Sequence, residues 1–288
     1  QHTNALGFVA DYDSNGWTNG TPPYFGDYFL PGTPQEGWSV EVNGLRCNAF
    51  CSEYQTNGTT GFLGPLNGTN QSVNSSTADI TSDWVGNFGD LTIKQTTQIK
   101  TNKLYCTGHV KFYNSGITTL KNVYYLRTVD PDNDVSNTGN FTTINEITNQ
   151  VPNPENKALV SCTSTLDTNA YLGLCTIDCR AKAFINDFGL LPPTDTLGYL
   201  YSGTHPDLMY TGTLTQDVGV GIVYQLGDIL PGDSTELFFA YILSKNSFNE
   251  AVDDIHAHFN INGVAHQSGD TILYCKNNQV PVSISGGI

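Results

Sequence analysis

The chain has 288 residues, of which 38% are hydrophobic and only 14% charged; 12 Lys and Arg stand against 27 Asp and Glu, for a net charge of −15. The apolar fraction fills a core, but no run approaches the roughly 20 apolar residues of a spanning helix, which argues against a helical membrane span. Sparse, scattered cations argue against nucleic acid or an anionic membrane as partner, and abundant Tyr and Phe at low charge density argue against disorder.

In chain order, Gln1 is already polar, as expected of a mature protein after removal of a signal segment. The segment Asp11-Tyr12-Asp13-Ser14-Asn15-Gly16 then sets oxygen donors at alternate positions and a glycine at the sixth. Asp11, Asp13 and Asn15 are thus candidate ligands for a hard cation, calcium above all, with the Trp17 carbonyl in support. Pro22 stands where a bidentate Glu would belong, so Asp27 is the acid left to reach back. An Asx-turn that caps backbone groups accounts for the same residues without any ion.

Asn-x-Ser/Thr sites occur at Asn19, Asn57, Asn67, Asn70, Asn74 and Asn140. They mark candidate glycosylation on a secreted surface. Residues 53–79 carry most of them in an Asn/Thr/Ser/Gly-rich stretch, expected to be a glycan-bearing loop outside the core.

Beyond it, β-branched and aromatic runs bounded by turn residues predict strands at 92–99, 104–113, 120–127, 158–161, 179–185, 218–226 and 236–243. Tyr113-Asn114-Ser115-Gly116 reads as a hairpin between two of them. In the last run Leu237, Phe239, Tyr241 and Leu243 share one face, and Phe238, Ala240 and Ile242 the other. Both faces are apolar, which predicts cover on both sides. A helix is expected near residues 247–259, from the Ser247/Glu250 capping box and the apolar spacing of Phe248, Ala251, Val252, Ile255 and Phe259.

A second acidic loop, Asp130-Pro131-Asp132-Asn133-Asp134, follows the strand at 120–127. Mutual repulsion among Asp130, Asp132 and Asp134 is relieved by a cation or by solvent. Seven cysteines, at 47, 51, 106, 162, 175, 179 and 275, leave at least one unpaired. Cys47 with Cys51 and Cys175 with Cys179 fit local disulfides or a zinc site; the sequons and acidic loops favour disulfides. His256-x-His258, with His266 beyond, suggests a metal site, but on a helix two positions lie about 200° apart and the rings face away from each other. A helix-end role suits them better, and His205-Pro206-Asp207 reads as a turn.

No Gly-x-Ser-x-Gly elbow is present. Carboxylate pairs such as Glu36 with Asp27, or Glu146 with Asp134, exist as in any acidic chain. Trp17, Trp38 and Trp84 suit sugar stacking or, more commonly, a core.

Two motifs resemble those of Ig-like repeat domains in extracellular surface and adhesin-type proteins. They are Val110-Lys111-Phe112-Tyr113-Asn114-Ser115-Gly116 leading to Leu120-Lys121-Asn122-Val123, and Leu226-Gly227-Asp228-Ile229-Leu230-Pro231-Gly232-Asp233-Ser234 entering a strand. The resemblance implies an extracellular β-sandwich stalk or adhesive module.

The expected fold is therefore all-β: one large two-sheet β-sandwich domain over 1–288, with long loops and one short helix. The expected function is non-enzymatic, a secreted structural or adhesive glycoprotein such as a cell-surface filament subunit. It would act by self-association or by a cell-surface or glycan partner. The alternating run 279–288 is a candidate strand for pairing with a neighbour. The alternative is a carbohydrate-binding or carbohydrate-active β-sandwich with structural calcium; a transition-metal enzyme working through His is the third reading.

Overall fold

Alternation of apolar and polar side chains gives this chain strands with one or two buried faces, and the strands assemble into two stacked antiparallel sheets. The computed structural model describes residues 2–3, 8–9, 36–50, 68–77, 79–133, 135–155, 157–186, 195–255, 259–261 and 264–266. In chain order the strands are β1 (His2–Thr3), β2 (Phe8–Val9), β3 (Glu36–Val42), β4 (Leu45–Phe50), β5 (Gly68–Ser75), β6 (Asp79–Phe88), β7 (Leu91–Lys100), β8 (Tyr105–Asn114), β9 (Leu120–Val129), β10 (Thr143–Asn149), β11 (Ala158–Ser164), β12 (Tyr171–Thr176), β13 (Ala181–Asn186), β14 (Gly212–Gln216), β15 (Gly219–Ile229), β16 (Ser234–Ile242), β17 (Phe259–Ile261) and β18 (Val264–His266). The helices are α1 (Val135–Thr138), α2 (Leu197–Ser202) and α3 (Phe248–Ile255).

A nine-stranded sheet runs in the order β14-β10-β11-β12-β16-β8-β7-β6-β5, and a five-stranded sheet in the order β13-β15-β9-β3-β4. Aromatic residues from both inner faces meet between them. Trp38 of β3 contacts Trp84 of β6 edge-on at 5.3 Å, and Phe112 of β8 contacts Tyr125 of β9 at 5.4 Å. Both tryptophans are fully buried, so the core reading holds for them; Trp17 lies outside the described residues. The Trp84 indole lies over paired glycines. A Cβ on Gly68 or Gly86 would approach it to 2.1 or 2.2 Å, and the two residues face each other across β5 and β6.

As expected, β16 is covered on both sides. Leu237, Phe239 and Tyr241 join the inter-sheet core, while Ala240 and Ile242 pack with Tyr105, Leu159 and Tyr171 beneath Ala251, Val252 and Ile255 of α3. Helix α3 does not reach Phe259, which lies in β17. Ser247 belongs to a preceding 3-10 turn, and Glu250 forms a salt bridge with Lys103. Helix α2 caps the outer face of the smaller sheet through Leu197 and Leu200. Its ends are set by Thr196, whose side chain accepts from the Tyr199 amide, and by left-handed Gly203.

Three expectations need correction. Residues 113–116 do not close a hairpin: β8 pairs with β7 and β16, whereas β9 pairs with β3 and β15, so the chain crosses there between sheets. Part of the 53–79 stretch is not a loop, because 68–75 form β5 at the edge of the large sheet. Its polar composition suits a strand with little burial. Cys175 and Cys179 are free thiols: Cys175 is buried in β12 among the residues under α3, while Cys179 is exposed past the strand end. Cys51, the expected partner of Cys47, lies outside the described residues. Among the described residues, two-residue hairpins are at Asn43-Gly44 between β3 and β4, with φ of 55° and 77°, and at Gly89-Asp90 between β6 and β7. Asn-Gly is a strong hairpin signal that the pattern of apolar runs did not pick out.

Candidate functional site

Among the described residues, four groupings of polar side chains bear on function. At the end of β9, Asp130 and Asp132, each 2% exposed, meet half-buried Asp217 from the turn between β14 and β15. One carboxylate oxygen from each lies within 4.8 Å of the others. Asn133 anchors the turn by donating from its side-chain amide to the carbonyls of Cys162 (2.9 Å) and Ala170 (3.1 Å). Burial, reinforced by Asp130 and Asp217, pushes the Asp132 carboxyl up to about 8. Burial, with Asp130 and Asp132 adding to it, likewise raises the Cys162 thiol. The structure thus brings together two of the three acids expected from the second loop. Asp217, remote in sequence, was not foreseen. Asp134 and the first loop's Asp11, Asp13 and Asn15 lie outside the described residues.

Between the sheets, Arg127 of β9 pairs with Glu36 of β3 at 2.5 Å, both essentially inaccessible. Tyr241 donates to Glu36 at 2.8 Å, and Arg127 donates to Gln95 at 3.0 Å and to the Tyr125 hydroxyl at 3.2 Å. The Arg127 guanidinium also lies 4.8 Å from the Phe239 ring centre. Burial alone would lower its pKa, but Glu36 and the tyrosines outweigh that and keep it charged. Glu36 is therefore a counter-ion inside the core; Asp27, its candidate carboxylate partner in sequence, lies outside the described residues.

On the outer face of the smaller sheet, Glu41 accepts from the backbone N–H of Leu197 at 2.6 Å, at the start of α2. Arg46 donates to Asn48 beside it. Asp195 and buried His205 are joined at 2.9 Å. These groups dock α2 by satisfying one of its unpaired N–H groups.

The fourth place is the part of the large sheet's outer face that α3 leaves open. Register sets the rows. Ser72, Asp83, Thr96, His109 and Phe238 lie side by side from β5 to β16, and Val85, Lys94, Lys111 and Glu236 form the next row from β6 to β16. Ser72 and Thr96 donate to the two oxygens of Asp83, each at 2.7 Å, and fix its plane. His109 stacks on Phe238 with ring centres 4.2 Å apart and lies 2.9 Å from Glu236. That hydrogen bond holds the Glu236 carboxyl below its usual range, with Lys111 and Arg180 adding to the effect. Tyr113, on the same face of β8 as His109 and Lys111, is 41% exposed. In sequence Phe238, Lys111 and Tyr113 mark only a strand and a turn, and Ser72, Asp83, Lys94, Thr96, His109 and Glu236 each lie singly at an outward position of an ordinary strand.

Of the sequons, Asn74 is exposed on β5, and Asn140 donates to Thr165 at 2.8 Å and accepts from the Thr142 amide. Asn70 lies in β5, opposite Trp84 in the β5–β6 register. Asn19, Asn57 and Asn67, along with His256, His258 and the segment 279–288, lie outside the described residues. No helix among the described residues is long and apolar enough to cross a membrane.

No protein-family pattern and no curated protein matches this chain. Among solved structures, a protein described as a kojibiose phosphorylase from the human microbiome is 8% identical with a TM-score of 0.35, covering 72% of this chain and 22% of its own. A polysaccharide lyase is 14% identical with a TM-score of 0.33, over 76% of this chain and 27% of its own. A protein described as an aldose 1-epimerase from Klebsiella pneumoniae is 12% identical with a TM-score of 0.29, over 76% and 65%. This chain thus spans about a quarter of the first two, and the likenesses are too distant to bear on function.

Proposed function

We propose that this chain is a carbohydrate-binding β-sandwich of an extracellular protein, using the open outer face of the nine-stranded sheet as a sugar platform. One observation carries the reading. On that face an exposed Tyr113 and the His109–Phe238 stack adjoin two carboxylates, Asp83 and Glu236, already held in position by hydrogen bonds. Sugar rings pack their C–H faces on aromatic rings, and their hydroxyls donate to carboxylates. Acceptors fixed before binding lose little entropy when the ligand arrives. This reading takes sugar recognition in preference to filament assembly. Calcium belongs to the same proposal, as a structural ion at Asp130, Asp132 and Asp217, where three acids converge.

The test is affinity electrophoresis of the purified protein through gels containing soluble neutral and acidic polysaccharides. At least one polymer should retard the wild type, and His109→Ala combined with Tyr113→Ala should abolish the retardation while the thermal transition stays cooperative. A wild type that migrates freely through every polymer, or a variant retarded as much as the wild type, overturns the reading. Appearance of reducing ends in the gel would convert it from binding to turnover.

A further inference from the structure

The charge pattern of the open face carries a sharper statement about the ligand. Lys94 of β7 and Lys111 of β8 face each other directly in the β7–β8 register, both exposed and both on the outer face. Directly opposed side chains in an antiparallel pair have Cβ atoms about 5 Å apart, and like charges there destabilise the pairing. The arrangement stands out because cations are scarce, with 12 Lys and Arg in the whole chain.

The other described cations are engaged. Lys100, Lys103, Lys121, Lys157, Arg127 and Arg180 are ion-paired. Lys182 and Lys245 lie over tyrosine rings, and Arg46 is hydrogen-bonded to Asn48. Lys94 and Lys111 form no salt bridge among the described residues. The nearest acid in register to Lys111 is Glu236, which feels its charge but whose carboxylate is bonded to His109.

We infer that Lys94 and Lys111 form an anion-binding subsite of the sugar platform, selecting acidic polysaccharides whose uronate or sulfate groups bridge the two ammonium groups. The inference rests on the sugar-binding reading above and names its substrate class. Charge complementarity supports it. An anionic group between the lysines relieves their repulsion, and at physiological salt the screening length is about 8 Å, so charges elsewhere on the surface count for little beside the pair and its near neighbours, Glu236 opposite Lys111 and Asp83 in the adjoining row. Tyr113 lies two residues from Lys111 on the same strand face, about 7 Å along the strand, where it can stack a sugar ring while the lysines hold the charged substituent. The −15 net charge suppresses non-specific binding of polyanions, so selectivity for them needs such a local device.

The experiment compares dextran, dextran sulfate and polygalacturonate as ligands for the wild type and for Lys94→Ala/Lys111→Ala, at low and at physiological salt. The wild type should prefer at least one acidic polymer over dextran by roughly tenfold at low salt, the order expected of two exposed ion pairs. That preference should shrink at higher salt and vanish in the double variant, whose thermal transition should match the wild type. The sulfated and uronate arms identify which acidic group is taken, and a preference for either supports the inference. Equal wild-type affinity for dextran and both acidic polymers, binding of dextran alone, or a preference that survives in the double variant overturns it, while the sugar-binding reading stands. Failure of the wild type to bind any polysaccharide, neutral or acidic, overturns both.

Discussion

The buried side chain of Asn114 donates 2.9 Å to the carbonyl of Ile229, 115 positions away, and 2.8 Å to that of Thr118. It accepts from the Gly116 amide, while its backbone bonds Asp233 and Gly232. Both connections that it joins, β8 to β9 and β15 to β16, carry the chain from one sheet to the other. These are the two motifs that resemble Ig-like turns, and Asn114 clamps them side by side. Asn114→Ala should therefore cost about 2–4 kcal/mol, because the buried carbonyls lose their donor. Urea unfolding of the variant measures it; a loss below about 0.5 kcal/mol would show that the clamp is dispensable.

Glu36→Gln should destabilise the fold by about 3–5 kcal/mol, since it leaves the Arg127 guanidinium buried without a counter-ion. The double change Glu36→Leu/Arg127→Met should recover most of that loss, because apolar packing costs no charge desolvation. Equal destabilisation in the single and double variants would mean that shape, not charge, decides the site.

Gly86→Ala should cost about 1–3 kcal/mol by forcing the Trp84 indole from its place. Trp84 is fully buried, so a displaced ring should also shift the intrinsic fluorescence. An alanine variant with unchanged stability and unchanged emission would contradict the contact.

Asp132 provides a pH test. Its folded-state carboxyl titrates near 8, well above an ordinary aspartate. The folded state therefore holds a proton that the unfolded state releases near pH 4. Without divalent cations its contribution to stability is full below about pH 4 and is lost as pH rises towards 8. Calcium should raise the melting temperature at pH 8 and leave it little changed at pH 4, and Asp132→Asn should flatten the pH dependence. A calcium response that is equal at both pH values, or absent at both, would sink the proposed ion site.

Thiol reactivity should separate the cysteines. Burial pushes the Cys106 and Cys175 thiols up to about 12, whereas Cys179 is exposed. Iodoacetamide on the native protein, followed by peptide mass spectrometry, should label Cys179 and spare Cys106 and Cys175. A Cys175–Cys179 disulfide in the same map would contradict the free state of both thiols. The same spectra report on Asn74, the exposed sequon of β5, where glycan is expected if the source glycosylates such sites.

Strand-like runs and turn residues determined the all-β class and the double cover of β16, because a strand's own side chains dictate which of its faces leave water. Strand β10 marks the limit of that signal. Thr143 and Asn145 face inward and Ile144 outward, since the Asn145 amide is needed by the Leu214 and Gln216 carbonyls of β14. Only the tertiary structure decided that β8 and β9 belong to different sheets, that Asp217 joins Asp130 and Asp132, and that Lys94 stands opposite Lys111. Alternation specifies faces and not partners: pairing is settled by backbone hydrogen bonds, which every residue but proline offers alike, and by packing between segments remote in sequence.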